Sequence, residues 1–422
     1  MQLIKNQHQL ITTPARSFQG ELQLPGDKSI SARALILAAI STSKVKIINC
    51  LQARDAQDLI LCLHNLGVDI IKKNNMTLEI KGQGLYLKEP QQNLYCGNSA
   101  TAARLLAGVL VGQKFESTIS GDKSLSLRPM RRIIEPLQAM GANITALQGH
   151  LPIKIKPASL EAINYQLPVA SAQVKSCLLL ANLYSKTPGE IFANFNMRNH
   201  TELMLAQFSQ QVGQDLEIII PSDISAAAFF IVLATCAPNS KIKCPQVGLN
   251  PTRAGILTIL AQAGANFKIL NKSVVNNELR GDLYLFSSKL KGFIVQDNIV
   301  PSLIDEIPIL MIAALRASSP SDFYGLQELR FKECDRLQVM LDAFMVIGAN
   351  YDILGPHSLR IYPLDYIKVD NPKLNAHSDH RMVMSFVILS NIYNKILTII
   401  NCENVDTSFV DFYANLAKIS IK

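Results

Sequence analysis

Two copies of Gly-Asp-Lys-Ser-x-Ser-x-Arg lie in the chain, at Gly26–Arg33 and Gly121–Arg128. Each brings a lysine, two serines and an arginine to the start of an apolar, helix-forming run. At a helix N-terminus, free backbone N–H groups, hydroxyls, an ammonium and a guanidinium fork form an anion-binding set. One copy alone reads equally well as a turn with a capping serine. Two copies, 95 residues apart, point to a duplicated fold with two anion-handling ends, and so to a substrate pair carrying several negative charges. In the first copy Lys28 and Ser29 stand at the loop–helix junction, with Arg33 one helical turn beyond Ser29. The Walker pattern G-x-x-x-x-G-K-[ST] is absent.

Other segments carry chemistry of the same kind. Gly97–Arg104 is a small-residue loop entering a helix, where Asn98 either caps or contacts a ligand. Pro168–Ser176 places Ser171 and Gln173 before an apolar helix, as N-cap or as partners for a polyol or carboxylate. Asp305-Glu306 precedes another apolar run, either as a candidate general base or as a dipole-favoured helix start. Leu329–Leu337 is the densest charge cluster; on one helix Lys332 and Arg336 would repel unless an anion lay between them. Asp379-His380-Arg381 sets an imidazole beside a guanidinium at a further helix start.

These loops need rigid elements to hold them. Leu35–Ile40, Thr101–Val111, Val174–Leu183, Ala226–Thr235, Ile309–Leu315 and Met382–Ile392 are expected as buried or half-buried helices, and Val45–Ile48, Phe293–Val295 and Ile396–Ile400 as strands. Helix-like stretches end in Gly67, Gly141, Gly213, Gly264 and Gly348, each followed by a small or polar residue and a strand-like run; Leu416–Ser420 is a degenerate sixth. Six junctions favour six copies of one α/β unit, three before about residue 235 and three after. The break at Pro238-Asn239-Ser240 predicts domains of 21–238 and of 1–20 with 239–422, joined at two crossings that would act as a hinge.

Composition narrows the function classes. A chain of 422 residues with 48% hydrophobic content has ample core for two domains. The formal charge of +8 is spread among motifs, not gathered in a basic tail, and aromatics are only 6% with no tryptophan, which argues against nucleic acid as partner. Eight cysteines without a C-x-x-C pair fit reduced, buried thiols in the cytoplasm, not a metal site. The stretch 1–18 has no secretory apolar core, and the longest apolar run, Ile224–Pro238, is too short to span a bilayer.

In this order, Pro25–Arg33, Arg128-Pro129-Met130, Ser171-Ala172-Gln173, Lys332–Arg336 and Asp379-His380-Arg381 resemble the 5-enolpyruvylshikimate-3-phosphate synthase family, from Leu24 to Phe412. The resemblance implies the two-domain α/β enolpyruvyl transferase fold. This is an inside-out α/β barrel of six βαβαββ repeats, three per domain, with the active site in the cleft between the domains. It implies transfer of the enolpyruvyl group of phosphoenolpyruvate to shikimate 3-phosphate without metal or organic cofactor, by an expected monomer. Lys28, Ala100, Arg128, Gln173, Arg336 and Arg381 are implied as the phosphoenolpyruvate site. Lys28, Ser29, Arg33, Ser171, Gln173, Arg198, Asp305 and Lys332 are implied as the shikimate 3-phosphate site. Asp305, Glu333 and Lys28 are implied as catalytic, and Asp55, Asn98, Thr101, Asp379 and His380 as supporting.

Asp27, Ser171-Ala172-Gln173 and His200-Thr201-Glu202 resemble the subgroup called class II, and Ala100 stands where glyphosate-sensitive members have glycine. Thr407 holds the place of a lysine that contacts phosphoenolpyruvate in many members. The sugar-nucleotide enolpyruvyl transferases, acting on UDP-N-acetylglucosamine, share this chemistry. Their loop cysteine is replaced here by Lys123. An RNA-end-processing protein of related fold is a rival from another class and predicts salt-dependent RNA binding.

Overall fold

The computed structural model describes residues 2–5, 8–187, 189–194, 197–211 and 213–421. Val212, part of the third junction, and Met1 of the N-terminal stretch lie outside the described residues. The chain divides into two compact units: residues 26–221 with 275–278 (the first unit), and residues 1–25, 222–274 and 279–422 (the second).

In the first unit α1 (Lys28–Ile40), α2 (Arg54–Asn65), α3 (Ala100–Leu110), α4 (Ala172–Asn182) and α5 (His200–Gln210) carry the motif segments. In the second they are α6 (Ile224–Cys236), α7 (Ile307–Leu315), α8 (Arg336–Ile347) and α9 (His380–Ile392). Every residue of α6, α7 and α9 is buried, and these three helices pack on one another. A helix apolar on all sides has no face to give to water and belongs inside. In the first unit α1, α3 and α4 take the same inner place, α3 lying against both of the others. The six expected helices are these six.

Sheets surround them, three in each unit among the described residues. Four of the sheets repeat one pairing order, a parallel pair extended by two antiparallel strands. One runs Leu216–Ile219, Lys44–Ile48, Thr77–Lys81, Asp69–Asn74, in register Leu216↔Val45 and Val45↔Ile80. The others are built on Ser117–Ser120, Ser321–Phe323 and Leu397–Ile400. A fifth sheet begins in the same way with Ser17–Glu21 parallel to Lys241–Gly248. The sixth is cut down to the parallel pair Tyr165–Gln166 and Ile191–Phe192. Gly67, Gly141, Gly213, Gly264 and Gly348 all have positive φ, between 75° and 88°, as a helix stop before a strand requires. The degenerate junction has no such stop: its helix runs on to Ile419, directly before strand Ser420–Ile421.

The unit boundaries differ from the expected ones. They fall at 25/26 and 221/222, with a further excursion at 275–278, not at residues 20 and 238. The reason is α6, whose Phe229 and Phe230 pack edge-on against Phe412 and Phe409 of the second unit's core at ring separations of 6.1 Å. Pro238 marks only the end of that helix. Each unit has its own continuous hydrophobic core. Among the described residues no helix is long and apolar enough to cross a membrane.

Candidate active site

In the first unit the two copies of the repeated octapeptide begin alike. Asp27 caps α1 by accepting from the Ile30 N–H at 2.9 Å, and Asp122 caps the short helix Lys123–Ser126 by accepting from Leu125 N–H at 2.7 Å. Each cap sets the lysine in the first helical position. Beyond that they diverge. Lys28 reaches back to Asp55 at the start of α2, Nζ to Oδ2 3.1 Å, while keeping 20% of its side chain exposed. Arg33 turns inward. It donates to the Ser29 carbonyl at 2.8 Å, to Ser176 Oγ at 2.7 Å and to Thr201 Oγ1 at 2.7 Å, bracing α1 to α4 and α5. Burial pushes its guanidinium down to about 10, Asp27 opposing and Arg198 reinforcing the shift. Arg33, expected as a substrate contact, is thus engaged with its own fold, whereas Ser29, Ser171 and Arg198 remain half-buried. Ser171 caps α4 by accepting from Val174 N–H at 3.4 Å.

Gln173 is likewise held at both ends. Its Oε1 accepts from Arg104 Nη1 at 2.5 Å and its Nε2 donates to Thr101 Oγ1 at 2.9 Å. Arg104 also donates to the Pro129 carbonyl at 2.9 Å, so one guanidinium ties α3 and α4 to the Arg128-Pro129 turn. Arg128 in turn donates to Asn98 Oδ1 at 2.8 Å, and Asn98 donates to Asp122 at 2.7 Å. The small-residue loop at Gly97 and the second octapeptide copy are therefore one hydrogen-bonded assembly. Ala100 opens α3 beside them, with 7% exposure.

In the second unit the charge cluster does not form one helix. A 3-10 turn, Leu326–Phe331, ends at Lys332 in extended backbone, and α8 starts at Arg336 with Asp335 as cap. The expected i, i+4 repulsion is met by an anion from the chain itself. Asp305 Oδ1 lies 3.7 Å from Lys332 Nζ and 3.5 Å from Arg336 Nη1, and Asp305 Oδ2 lies 4.0 Å from Arg381 Nη2. Arg336 is 1% exposed and faces two more acids, Glu333 at 2.5 Å and Asp379 at 2.8 Å. Asp379 also caps α9 through the Arg381 N–H at 2.8 Å, placing His380 and Arg381 in the first turn. Burial works to raise the Asp379 carboxyl, and Arg336 together with His380 outweighs it, leaving Asp379 below its ordinary value. Asp305 itself keeps 15% of its side chain exposed. A partly open carboxylate ringed by three cations can accept a proton while the cations bind an anionic reactant.

The profile of the family described as EPSP synthase (3-phosphoshikimate 1-carboxyvinyltransferase) matches residues 12–416. The chain belongs to this family. It is similar to the 3-phosphoshikimate 1-carboxyvinyltransferase of Legionella pneumophila (strain Corby), 40% identical over 430 aligned residues that cover 98% of each chain. The EPSP synthase structure from Acinetobacter baumannii superposes with a TM-score of 0.86 at 35% identity, covering 98% of this chain and 99% of that one. The enolpyruvyl transferase NikO from Streptomyces tendae shares the fold, with a TM-score of 0.77 at 12% identity over 98% of both chains.

Two residues given no role in the sequence-derived set stand out, Arg104 and Arg253. Arg104 was visible only as the end of the Gly97 loop; its contacts lie 25 and 69 residues away. Arg253 and Glu306 form a buried ion pair at 2.7 Å, joined by Ser225. Thr407 is buried, its hydroxyl donating to the Asn404 carbonyl at 2.7 Å. His200-Thr201-Glu202 work inside the first unit: His200 meets Glu278 at 2.6 Å, Thr201 holds Arg33, and Glu202 pairs with Lys175 at 2.5 Å.

Proposed function

We propose that this protein transfers the carboxyvinyl group of phosphoenolpyruvate to the 5-hydroxyl of shikimate 3-phosphate and releases phosphate. The hydroxyl adds to the enol carbon as the methylene carbon gains a proton. The resulting ketal phosphate then loses phosphate and a methyl proton. Asp305 takes the hydroxyl proton, while Glu333 and Lys28 move the proton at the methylene. Arg128, Arg336 and Arg381, with Lys28, Gln173 and Ala100, receive phosphoenolpyruvate. Ser29, Arg33, Ser171, Gln173, Arg198 and Lys332 serve shikimate 3-phosphate; Asp55, Asn98, Thr101, Asp379 and His380 hold these groups in place. The observation that carries this reading is Asp305, an acid within 4.0 Å of Lys332, Arg336 and Arg381.

The mechanism is tested in D2O. Addition delivers a deuteron to the methylene, and elimination removes one of three methyl hydrogens. The vinyl signal of the product should therefore lose proton intensity, and only when shikimate 3-phosphate is present. Product formed with both vinyl protons fully retained would contradict addition–elimination.

Two further outcomes follow from the first unit. Arg104→Met frees Gln173 Oε1 and the Pro129 carbonyl, and a misplacement on the order of 1 Å in a positioning group lowers kcat/KM about 100-fold. Unchanged steady-state kinetics would show that Gln173 holds its place without Arg104.

We also place the chain in the class II, glyphosate-tolerant subgroup, as a monomer of the cytoplasm without nucleic-acid or membrane partner. None of its eight cysteines, all among the described residues, is disulfide-bonded, which suits a reducing compartment. The Ala100 methyl narrows the phosphoenolpyruvate pocket against a longer inhibitor. Ala100→Gly should tighten glyphosate inhibition at least ~10-fold, the scale of one methyl group in a fitted pocket. Submicromolar inhibition of the unaltered protein, competitive with phosphoenolpyruvate, would contradict the assignment.

A further inference from the structure

Asp305 and Glu306 are neighbours with opposite fates. Asp305 keeps 15% of its side chain exposed, while Glu306 has none and yet makes no side-chain cap on α7. A buried carboxylate must find positive charge or hydrogen-bond donors. Glu306 finds Arg253, whose Nη1 donates to Oε2 at 2.7 Å. Ser225 Oγ donates to the other oxygen and is itself met by Arg253 Nη2. Burial alone would lower the Arg253 guanidinium, but Glu306, with Asp305 and Asp223 adding to it, raises it above its ordinary value.

Arg381 lies just beyond this pair. Its Nη1 is 3.8 Å from Glu306 Oε1 and its Nη2 is 4.0 Å from Asp305 Oδ2, while Nη1 donates to the Asp305 carbonyl at 3.3 Å. Both carboxylate distances exceed hydrogen-bonding range. Arg381 is therefore near two acids without being bound tightly by either. Glu306 already has its close cation, so Arg381 is not drawn the last ångström toward it.

The backbone holds this arrangement rigidly. Arg253 N–H donates to the Asn250 carbonyl at 2.8 Å, in the turn entering the helix Gly255–Gln262. A methyl at Gly255 would lie 2.1 Å from Ser302 Oγ and 3.0 Å from the Leu303 side chain. The segment bearing Arg253 is thus pressed against the turn that leads into Asp305-Glu306.

We propose that Arg253 is a positioning residue that saturates Glu306 and so leaves Arg381 available to the anion of phosphoenolpyruvate. The inference rests on the assignment of Arg381 to phosphoenolpyruvate. Without Arg253, Glu306 would be a buried carboxylate with one cation within reach, and Arg381 would close on it. The cost falls on the substrate that Arg381 receives.

Steady-state kinetics with both substrates test this, alongside thermal melting of each variant. Arg253→Met should raise KM for phosphoenolpyruvate at least ~10-fold and leave KM for shikimate 3-phosphate within about 2-fold, the pattern of a lost binding interaction confined to one substrate. Glu306→Gln removes the charge that competes for Arg381, so Arg253→Met with Glu306→Gln should return KM for phosphoenolpyruvate to within about 3-fold of the unaltered protein. Arg253→Lys, which keeps the charge, covers the case in which the methionine variant fails to fold; it should melt close to the unaltered protein and raise the same KM only slightly. A purely structural role predicts both KM values moving together and a double variant no better than the single one; either result overturns the proposal. If the unaltered protein shows no turnover with these two substrates, the functional reading itself fails, an outcome separate from all of these.

Discussion

Asp305→Asn is expected to lower kcat about 1,000-fold, within the range that a positioned general base supplies, while leaving KM for phosphoenolpyruvate unchanged or lower. The split follows from charge. Four acids, Asp305, Glu306, Glu333 and Asp379, lie among four cations, Arg253, Lys332, Arg336 and Arg381. Asparagine matches the shape of aspartate but removes both the proton acceptor and one negative charge. Lys332, Arg336 and Arg381 then carry surplus positive charge, which favours an anionic reactant. Chemistry fails while anion binding does not. A kcat within about 10-fold of the unaltered protein would show that Asp305 is not the base.

Arg336→Met should destabilise the second unit by about 3–5 kcal/mol, the scale for removing one partner of a buried ion pair. Arg336 is 1% exposed and meets Asp305, Glu333 and Asp379 within 3.5 Å, so three acids lose their nearest shared cation. The loss should depend on pH. Asp379 is depressed by Arg336 against the upward pull of burial, so the pair contributes stability above the unfolded carboxyl value and loses it as pH falls through the depressed folded value. In the variant burial and Glu333 pull the Asp379 carboxyl upward against His380, so Asp379 takes up a proton more readily in the folded state. The stability gap between the two proteins should therefore narrow on acidification. Denaturant midpoints measured from neutral to acidic pH report both effects. A gap that widens as pH falls, or a loss below about 1 kcal/mol at neutral pH, would contradict a buried charge-compensation role.

What could be read from the chain was what local sequence controls. Six largely apolar runs became the six inner helices, because their broad apolar faces cannot be given to water. Five glycines at helix ends have the positive φ that such stops require. The same logic set the octapeptide lysines at helix starts, through the Asp27 and Asp122 caps.

What depends on distant contacts was harder to read. Lys332 and Arg336 looked like one helix face, but the helix begins only at Arg336, and the anion between them comes from Asp305, a stretch of chain well upstream. Pro238 looked like a boundary because it breaks a helix; packing of Phe229 and Phe230 moved the division back to 221/222. Arg253 carried no local signal at all, since its partner Glu306 lies 53 residues on. Arg33 and Gln173 carried a substrate-facing signal alone; that they also brace helices and loops rests on partners far along the chain.

Phosphate release measured with phosphoenolpyruvate and each of two acceptors, shikimate 3-phosphate and UDP-N-acetylglucosamine, tests the central claim most directly. The account predicts release with shikimate 3-phosphate alone. Release with only the sugar nucleotide would keep the addition–elimination chemistry and overturn the substrate, and release with neither would contradict the assigned activity.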